Sequence, residues 1–335
     1  MKIDIPAGTR VLVTGATGYT GQVLTRKLAN AGIRVNAIAR DSSDLSPLED
    51  LDIEWFRGQV FDQEVVDAAT QNVEYIFHVA AAFREAKSTE QDYRNIHLVS
   101  TQRLAEAALR QPDFKRFVLV STMGVHGHIK NPPGDETTEY GPGDLYQSTK
   151  VEAEVWINQF APENKLSYSI IRPCAIYGPG EKRLLKLFRM ANKPVFPILG
   201  YGKCWYHMVH VEDLSNGIIK AATHPNAESE AFLIGSNEPI ALEDMARLIA
   251  KLYNRKLRVI RMPIQPFFWL GDICEMVCKP FRIEPPIYRR RVAFYSKDRY
   301  FSTAKMRDTL EYDPIYDNTK GITESAHWYR DNGWI

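Results

Sequence analysis

The stretch Val11-Leu-Val-Thr-Gly15-Ala-Thr-Gly18-Tyr-Thr-Gly21 sets three glycines at fixed offsets directly behind an apolar run. The run Arg10 to Thr14 reads as a buried strand and Gln22 to Ala31 as the helix behind it, stopped by Gly32. Each glycine then has a separate task. Gly15 permits the tight turn, Gly18 lets the backbone approach a pyrophosphate, and Gly21 lets the helix lie close to the strand. A diphosphate would rest on the helix N-terminus, where N–H groups and the helix dipole favour an anion. Thr17 and Tyr19, inside the same turn, are cofactor-binding candidates with the three glycines. Taken alone, the glycines could equally be an ordinary turn.

The rest of the chain supplies the context. Its 335 residues, 44% hydrophobic and 25% charged, can bury a large core and are enough for two domains. Lys plus Arg number 42 against 41 Asp plus Glu, so the net charge of +1 creates no field to draw in nucleic acid. No apolar run reaches the roughly 20 residues of a membrane span, and the N-terminus lacks a long apolar core, so a cytoplasmic protein is expected. Cys174, Cys204, Cys274 and Cys278 do not have the spacing of a disulfide framework. Cys274 and Cys278 share one helical face without nearby His or Cys partners, so core packing is expected there, and no metal.

Strand-like runs recur at Arg34 to Ala39, Ile53 to Phe56, Tyr75 to Ala80, Phe117 to Ser121 and Ser167 to Ile171, alternating with helical stretches. That alternation marks an α/β chain with a doubly wound parallel sheet. The clearest helices are Ser88 to Arg110 and Leu145 to Phe160. After Tyr177 the alternation breaks and Pro and aromatic residues accumulate, which implies a smaller C-terminal α/β domain for substrate. The expected division is a dinucleotide-binding domain over 1–175, with return segments near 208–236, and a mainly substrate-binding domain over 176–335. The apolar stretch Pro266 to Phe281 carries Asp272 and Glu275 and is too short to span a bilayer; it reads as a helix lining a pocket or a subunit contact.

Tyr146-Gln-Ser-Thr-Lys150 puts a phenol and an ammonium four residues apart on one helix face. A phenol titrates near 10 and serves as a base near neutrality only if positive charge stabilises its anion, which Lys150 can do. A second copy of the spacing, Tyr316-Asp-Asn-Thr-Lys320, follows Pro314 in a polar turn without a hydroxyl-bearing strand before it, and reads as a decoy. The first copy follows Phe117-Val-Leu-Val-Ser121-Thr122, a strand that delivers hydroxyls to the carboxyl edge of the sheet, where open α/β sheets bind ligands.

The glycine turn, the strand-end hydroxyl and the Tyr-x-x-x-Lys helix together resemble an extended short-chain dehydrogenase/reductase of the epimerase/dehydratase superfamily. Further matches are Phe77-His-Val-Ala-Ala81, Ile171-Arg-Pro-Cys-Ala-Ile-Tyr-Gly-Pro-Gly180, His210-Val-Glu-Asp213 and Gly321 to Tyr329. The resemblance implies a Rossmann sheet, Tyr146 as acid/base, and Lys150 lowering its pKa and holding the nicotinamide ribose. It implies a neighbouring hydroxyl that orients the substrate oxygen; counting back from Gly127 favours Thr122 over Ser121. It also assigns Gln59, Val60, Ala80, Ala81 and Pro173 to the cofactor, Gln59 standing where the family often has Asp. Arg40, in place of an acidic residue after the second strand, favours NADP over NAD by pairing with a 2′-phosphate, although Asp41 follows it. His97 stands where the family commonly has Asn, and carries low functional weight.

Dehydratase relatives carry an Asp-Glu pair after the catalytic hydroxyl; here Met123 and Gly124 stand there. Sugar-nucleotide epimerases place an Arg four residues before His210, and here that residue is Tyr206; Lys203 or Arg289-Arg-Arg291 could replace it. The expected reaction is therefore hydride transfer at a secondary alcohol or ketone of a fairly apolar small molecule, as in the 3β-hydroxysteroid dehydrogenase and dihydroflavonol reductase branch. Phe83, Met123, His126 and Tyr206 would face that substrate. The alternatives are a nucleotide-sugar epimerase with tightly bound NAD and a non-catalytic dinucleotide-sensing protein. The two long helices would make a homodimer contact, as in family members.

Overall fold

The computed structural model describes residues 3–82, 89–201, 203–278, 285, 292 and 300–335. Its strands are β1 (Arg10–Thr14), β2 (Arg34–Ala39), β3 (Ile53–Arg57), β4 (Tyr75–His78), β5 (Arg116–Val120), β6 (Tyr168–Pro173), β7 (Ala175–Tyr177), β8 (Val195–Leu199), β9 (Trp205–Tyr206), β10 (Met208–His210), β11 (Glu230–Ile234), β12 (Ile240–Ala241) and β13 (Arg258–Met262). Seven of them make one parallel sheet in the order β11-β6-β5-β4-β1-β2-β3. Strands buried on both faces read as continuous apolar runs, which is why Val-Leu-Val in β1 and Phe-Val-Leu-Val in β5 were legible.

The helices are α1 (Tyr19–Asn30), α2 (Gln63–Ala69), α3 (Glu90–Arg94), α4 (Ser100–Ala108), α5 (Leu145–Asn164), α6 (Leu185–Ala191), α7 (Val211–Thr223), α8 (Leu242–Leu252), α9 (Gln265–Cys278), α10 (Ala304–Leu310) and α11 (Asn318–Asp331). On one face of the sheet, Leu24 and Leu28 of α1 and Leu214 and Ile218 of α7 close over Val11, Val13, Phe77 and Val118. On the other, Val66, Leu104, Ala108, Ala153 and Ile157 from α2, α4 and α5 close over Leu12, Ile76, Phe117 and Leu119. The alternation of side chains along each strand sorts these two sets.

The order places β1 between β2 and β4, so the connections leave in opposite directions there and open a crevice at the strands' carboxyl ends. Gly15, Tyr19 and Ala80 sit at that edge. The first helix starts earlier than the sequence suggested, at Tyr19, because Gly18 itself is the N-cap. The expected single helix Ser88 to Arg110 is interrupted: α3 and α4 are joined by a π-helical turn, Asn95–Val99, flanked by the hydroxyls of Ser100 and Thr101 bonding back to the Ile96 and His97 carbonyls. Residue 88 lies outside the described residues, and Thr89 opens α3 with a capping box to Asp92.

After β6 the chain leaves the sheet and builds a third core from Tyr177, Phe188, Phe196, Met208, Leu242, Ile249, Ile322 and Tyr329. It returns through α7 and β11, the latter pairing with β6. The apolar stretch from Pro266 forms α9, on which Trp269, Ile273 and Met276 stand exposed. Among the described residues no helix is long and apolar enough to cross a membrane, and no group of three His, Cys, Asp or Glu could hold a metal ion.

Candidate active site

The glycine turn is packed too closely against the protein's own backbone to carry side chains. A Cβ on Gly15 would stand 2.8 Å from the Ala80 Cα, and one on Gly21 would stand 2.0 Å from the Gly15 carbonyl oxygen. Gly18 caps α1 without a side-chain hydrogen bond, so the first turn keeps its N–H groups for a ligand at the crevice. These features fit the diphosphate of a dinucleotide. The Gln22 amide ties the turn by donating to the Thr17 carbonyl at 2.8 Å. Tyr19 turns its phenol inward, its hydroxyl 2.7 Å from where a Cβ on Gly178 would lie.

Asp144 caps α5 by accepting from the Gln147 N–H at 2.8 Å, which sets Tyr146 in the first turn and Lys150 in the second. The Lys150 side chain lies fully buried under the end of β5 and donates to the Val120 carbonyl at 2.9 Å. Burial pushes its ammonium down to about 8, opposed by the Glu154 carboxylate one turn on. Among the described residues no carboxylate forms an ion pair with Lys150. On α5 it stands four residues, one helical turn, from Tyr146.

Two hydroxyls close the carboxyl end of β5. Thr122 is extended, and its hydroxyl oxygen accepts from the Gly124 N–H at 3.0 Å, leaving the O–H to donate elsewhere. Ser121 is buried, and its hydroxyl has no hydrogen-bond partner. A buried orphan of this kind marks a place where a ligand or water supplies the bond.

His97, in the π turn, is fully buried and meets the ring of Tyr146 edge-on, centroids 5.3 Å apart. Its Nε2 accepts from the Ala82 N–H at 3.1 Å, so Nδ1 carries the proton and donates to the Thr149 hydroxyl at 2.8 Å. Burial and the Lys150 charge hold it neutral, its pKa down to about 2. His78 at the end of β4 behaves alike, held well below the usual histidine range by burial and then by Lys150. The Ser100 hydroxyl donates to the Ile96 carbonyl at 2.5 Å and so accepts from His78 Nε2–H at 2.9 Å. His78 Nδ1 then accepts from the Thr14 hydroxyl at 2.7 Å, and Thr14 accepts from the Ala80 N–H at 3.2 Å.

One helical turn beyond Lys150, Glu154 is fully buried and pairs with Arg172 of β6 at 2.6 Å. Its second partner is the Tyr140 hydroxyl at 2.8 Å, and Arg172 also donates to His126 Nε2 at 3.2 Å. This network fastens α5 to β6.

A comparison with protein families matches the NAD dependent epimerase/dehydratase family over residues 11–235. The chain belongs to this family. The matched span contains the glycine turn, both hydroxyls and the Tyr146–Lys150 pair. The 3 beta-hydroxysteroid dehydrogenase/Delta 5-->4-isomerase of Mycobacterium tuberculosis is 29% identical over 336 residues, covering 96% of this chain and 90% of that protein. Among solved structures, an epimerase from Methanothermobacter thermautotrophicus superposes with a TM-score of 0.79 at 25% identity, over 98% of this chain and 94% of that one. The UDP-glucose 4-epimerase of Thermus thermophilus, in complex with NAD, has a TM-score of 0.73 at 18% identity over 96% and 99%. As a family member this chain is an NAD(P)-dependent oxidoreductase of the extended short-chain type.

The remaining sequence candidates of this epimerase/dehydratase family member distribute as follows. Arg40 is exposed at the carboxyl end of β2, with Gln59 and Val60 just beyond β3. Ala80 is buried against the glycine turn, Ala81 is exposed, and Pro173 is buried at the end of β6. Met123 is half-buried between two cores, and Tyr206 is half-buried on β9 against the third core. His126 is 2% exposed with both ring nitrogens engaged, Nε2 by Arg172 and Nδ1 by the Glu139 carbonyl. Phe83 and Arg289 to Arg291 lie outside the described residues. The second Tyr–Lys spacing is tied up elsewhere: the Tyr316 N–H donates to Asp213, its ring stacks on His210 at 3.7 Å, and Lys320 lies over that ring. The sequence singles out His97 only as standing where the family commonly has Asn; its contact with Tyr146 depends on the π turn at residues 95–99.

Proposed function

We propose that the protein moves a hydride between NADP and a secondary alcohol or ketone on an apolar, steroid-like molecule, with Tyr146 as the acid/base. The observation that carries this reading is the buried ammonium of Lys150, without an ion-pair partner among the described residues, one helical turn along α5 from Tyr146. Such a charge favours the phenolate and so lets a phenol work near neutral pH. The bound nicotinamide would supply or accept the hydride. Tyr146 would hand its proton to the forming alkoxide, or take one from the alcohol, while the Thr122 hydroxyl, with Ser121 beside it, hydrogen-bonds the same oxygen. His97 contributes no proton, since it stays neutral with both nitrogens occupied. Gly18 and the first-turn N–H groups of α1 would meet the diphosphate, with Gly15 and Gly21 shaping the turn, and Arg40 would take the 2′-phosphate.

The apolar substrate is supported by the hydroxysteroid dehydrogenase named among the relatives and by Tyr206, which stands where sugar-nucleotide epimerases carry a diphosphate-binding Arg. The test is turnover with exchangeable cofactor: NADPH should be oxidised stoichiometrically by steroid-like ketones, and Tyr146→Phe should lose about 10³-fold in kcat while binding cofactor as the parent does. Purification with one retained NAD, interconversion of UDP-sugars and no net redox would overturn the reading in favour of an epimerase. Undiminished turnover in Tyr146→Phe would overturn the acid/base role.

A further inference from the structure

We propose that Arg57 is the second arm of a two-guanidinium seat for the 2′-phosphate of NADP, formed jointly with Arg40. The inference rests on the NADP reading above and adds to it a residue from a different strand. β2 and β3 run parallel with Ala39 abreast of Arg57, and the Gly58 N–H donates to the Ala39 carbonyl at 3.0 Å. Arg57 is therefore the neighbour, across the ladder, of the position just before Arg40. Beyond β2 the chain makes a tight turn, Arg40-Asp41-Ser42-Ser43, closed by the Ser43 N–H donating to the Arg40 carbonyl at 2.9 Å. The Arg57 guanidinium lies on this turn: one nitrogen, Nη1, donates to the Arg40 carbonyl at 3.0 Å and to the Ser43 carbonyl at 3.4 Å. That bond orients the planar fork, and the Nε and Nη2 N–H groups are what a phosphate takes in bidentate fashion.

Charge argues the same way. Arg40 and Arg57 are both exposed at one turn, with Asp41 the acidic residue inside it. The nearby Asp62 carboxylate is engaged by the Gln59 N–H at 3.0 Å. Hydrogen bonds from an exposed guanidinium to exposed carbonyls add little to stability, so the fold gains little from bringing a second cation beside Arg40. An anion bound at this turn would make charge-assisted contacts with both guanidinium groups. In a dinucleotide lying across the carboxyl edge of the sheet, the adenosine ribose comes to the end of the second strand, so its 2′-phosphate is the anion that arrives there.

The test is a calorimetric titration of cofactor-free protein with adenosine 2′,5′-bisphosphate and ADP, and with NADP and NAD. Arg57→Gln keeps an amide N–H for the carbonyls and removes the charge. It should weaken adenosine 2′,5′-bisphosphate and NADP about tenfold, leave ADP and NAD within about twofold, and flatten the salt dependence of the 2′-phosphorylated ligands. Asp41→Asn should tighten the same two ligands. Equal losses for NAD and NADP would make Arg57 a support of the turn alone, and no loss for either would remove it from the site; both overturn the inference. If Arg40→Gln loses NADP while Arg57→Gln does not, the NADP reading stands and this inference falls. If the parent binds both dinucleotides equally and Arg40→Gln changes nothing, both fall.

Discussion

Replacing Lys150 by methionine should make the protein more stable while abolishing turnover. In the fold the ammonium is pushed from 10.5 down to about 8, chiefly by burial. The folded state therefore holds this proton less tightly than the unfolded chain, and each pKa unit is worth about 1.4 kcal/mol. The cost of the buried charge is about 3 kcal/mol, felt in full below pH 8 and relieved as pH rises from 8 to 10.5, where the unfolded chain also loses the proton. Methionine has a similar length and no charge. It gives up the hydrogen bond to the Val120 carbonyl, about 1 kcal/mol, the attraction of Glu154 being already contained in the net shift. The net gain at pH 7 is about 2 kcal/mol. The assay is urea unfolding of cofactor-free protein, because bound dinucleotide would stabilise parent and variant unequally. At pH 7 the variant's midpoint should be the higher one with an unchanged slope, and the difference should shrink as pH climbs from 8 to 10.5. A variant midpoint at or below the parent's at pH 7, or a difference that ignores pH, would refute the argument that a buried charge is held there against stability.

Two further substitutions probe the frame around that charge. Glu154→Ala strips the carboxylate from Arg172 and removes the acceptor of the Tyr140 O–H, and chemical denaturation should show about 3–5 kcal/mol of lost stability, because an uncompensated guanidinium stays buried. Gly21→Ala forces a Cβ to 2.0 Å from the Gly15 carbonyl oxygen, so α1 must move off the turn; dinucleotide affinity by titration should fall at least tenfold, with about 1–3 kcal/mol of destabilisation.

The sheet was legible because its strands are buried on both faces and therefore read as unbroken apolar runs between glycine and polar turns, as at β1 and β5. The Tyr146–Lys150 pair was legible because helix periodicity alone puts residues four apart on one face. What stayed hidden depends on which elements become neighbours. Arg57 reads as an ordinary exposed end of a strand until β2 and β3 pair in register and lay it against the Arg40 turn. Glu154 and Arg172 carry no mark of being buried partners until α5 settles on β6. The place of His97 depends on a π turn, a backbone irregularity with no composition of its own, and its imidazole reaches Tyr146 only through that turn. The start of α1 was misjudged because glycine caps without a side-chain hydrogen bond, leaving no polar signature at the boundary.

The hydrogen-bonded line from the Ala80 N–H through Thr14, His78 and Ser100 to the Ile96 carbonyl admits one order of protons. Every hydroxyl in it both gives and receives, so no member can be exchanged for an apolar residue without stranding the next one in a water-free interior. Thr14, His78 and Ser100 are thus heritable as a set: single replacements should be costly and double replacements less than additive. A lineage could change this corner of the crevice only by crossing a deep intermediate, or by replacing all three positions together.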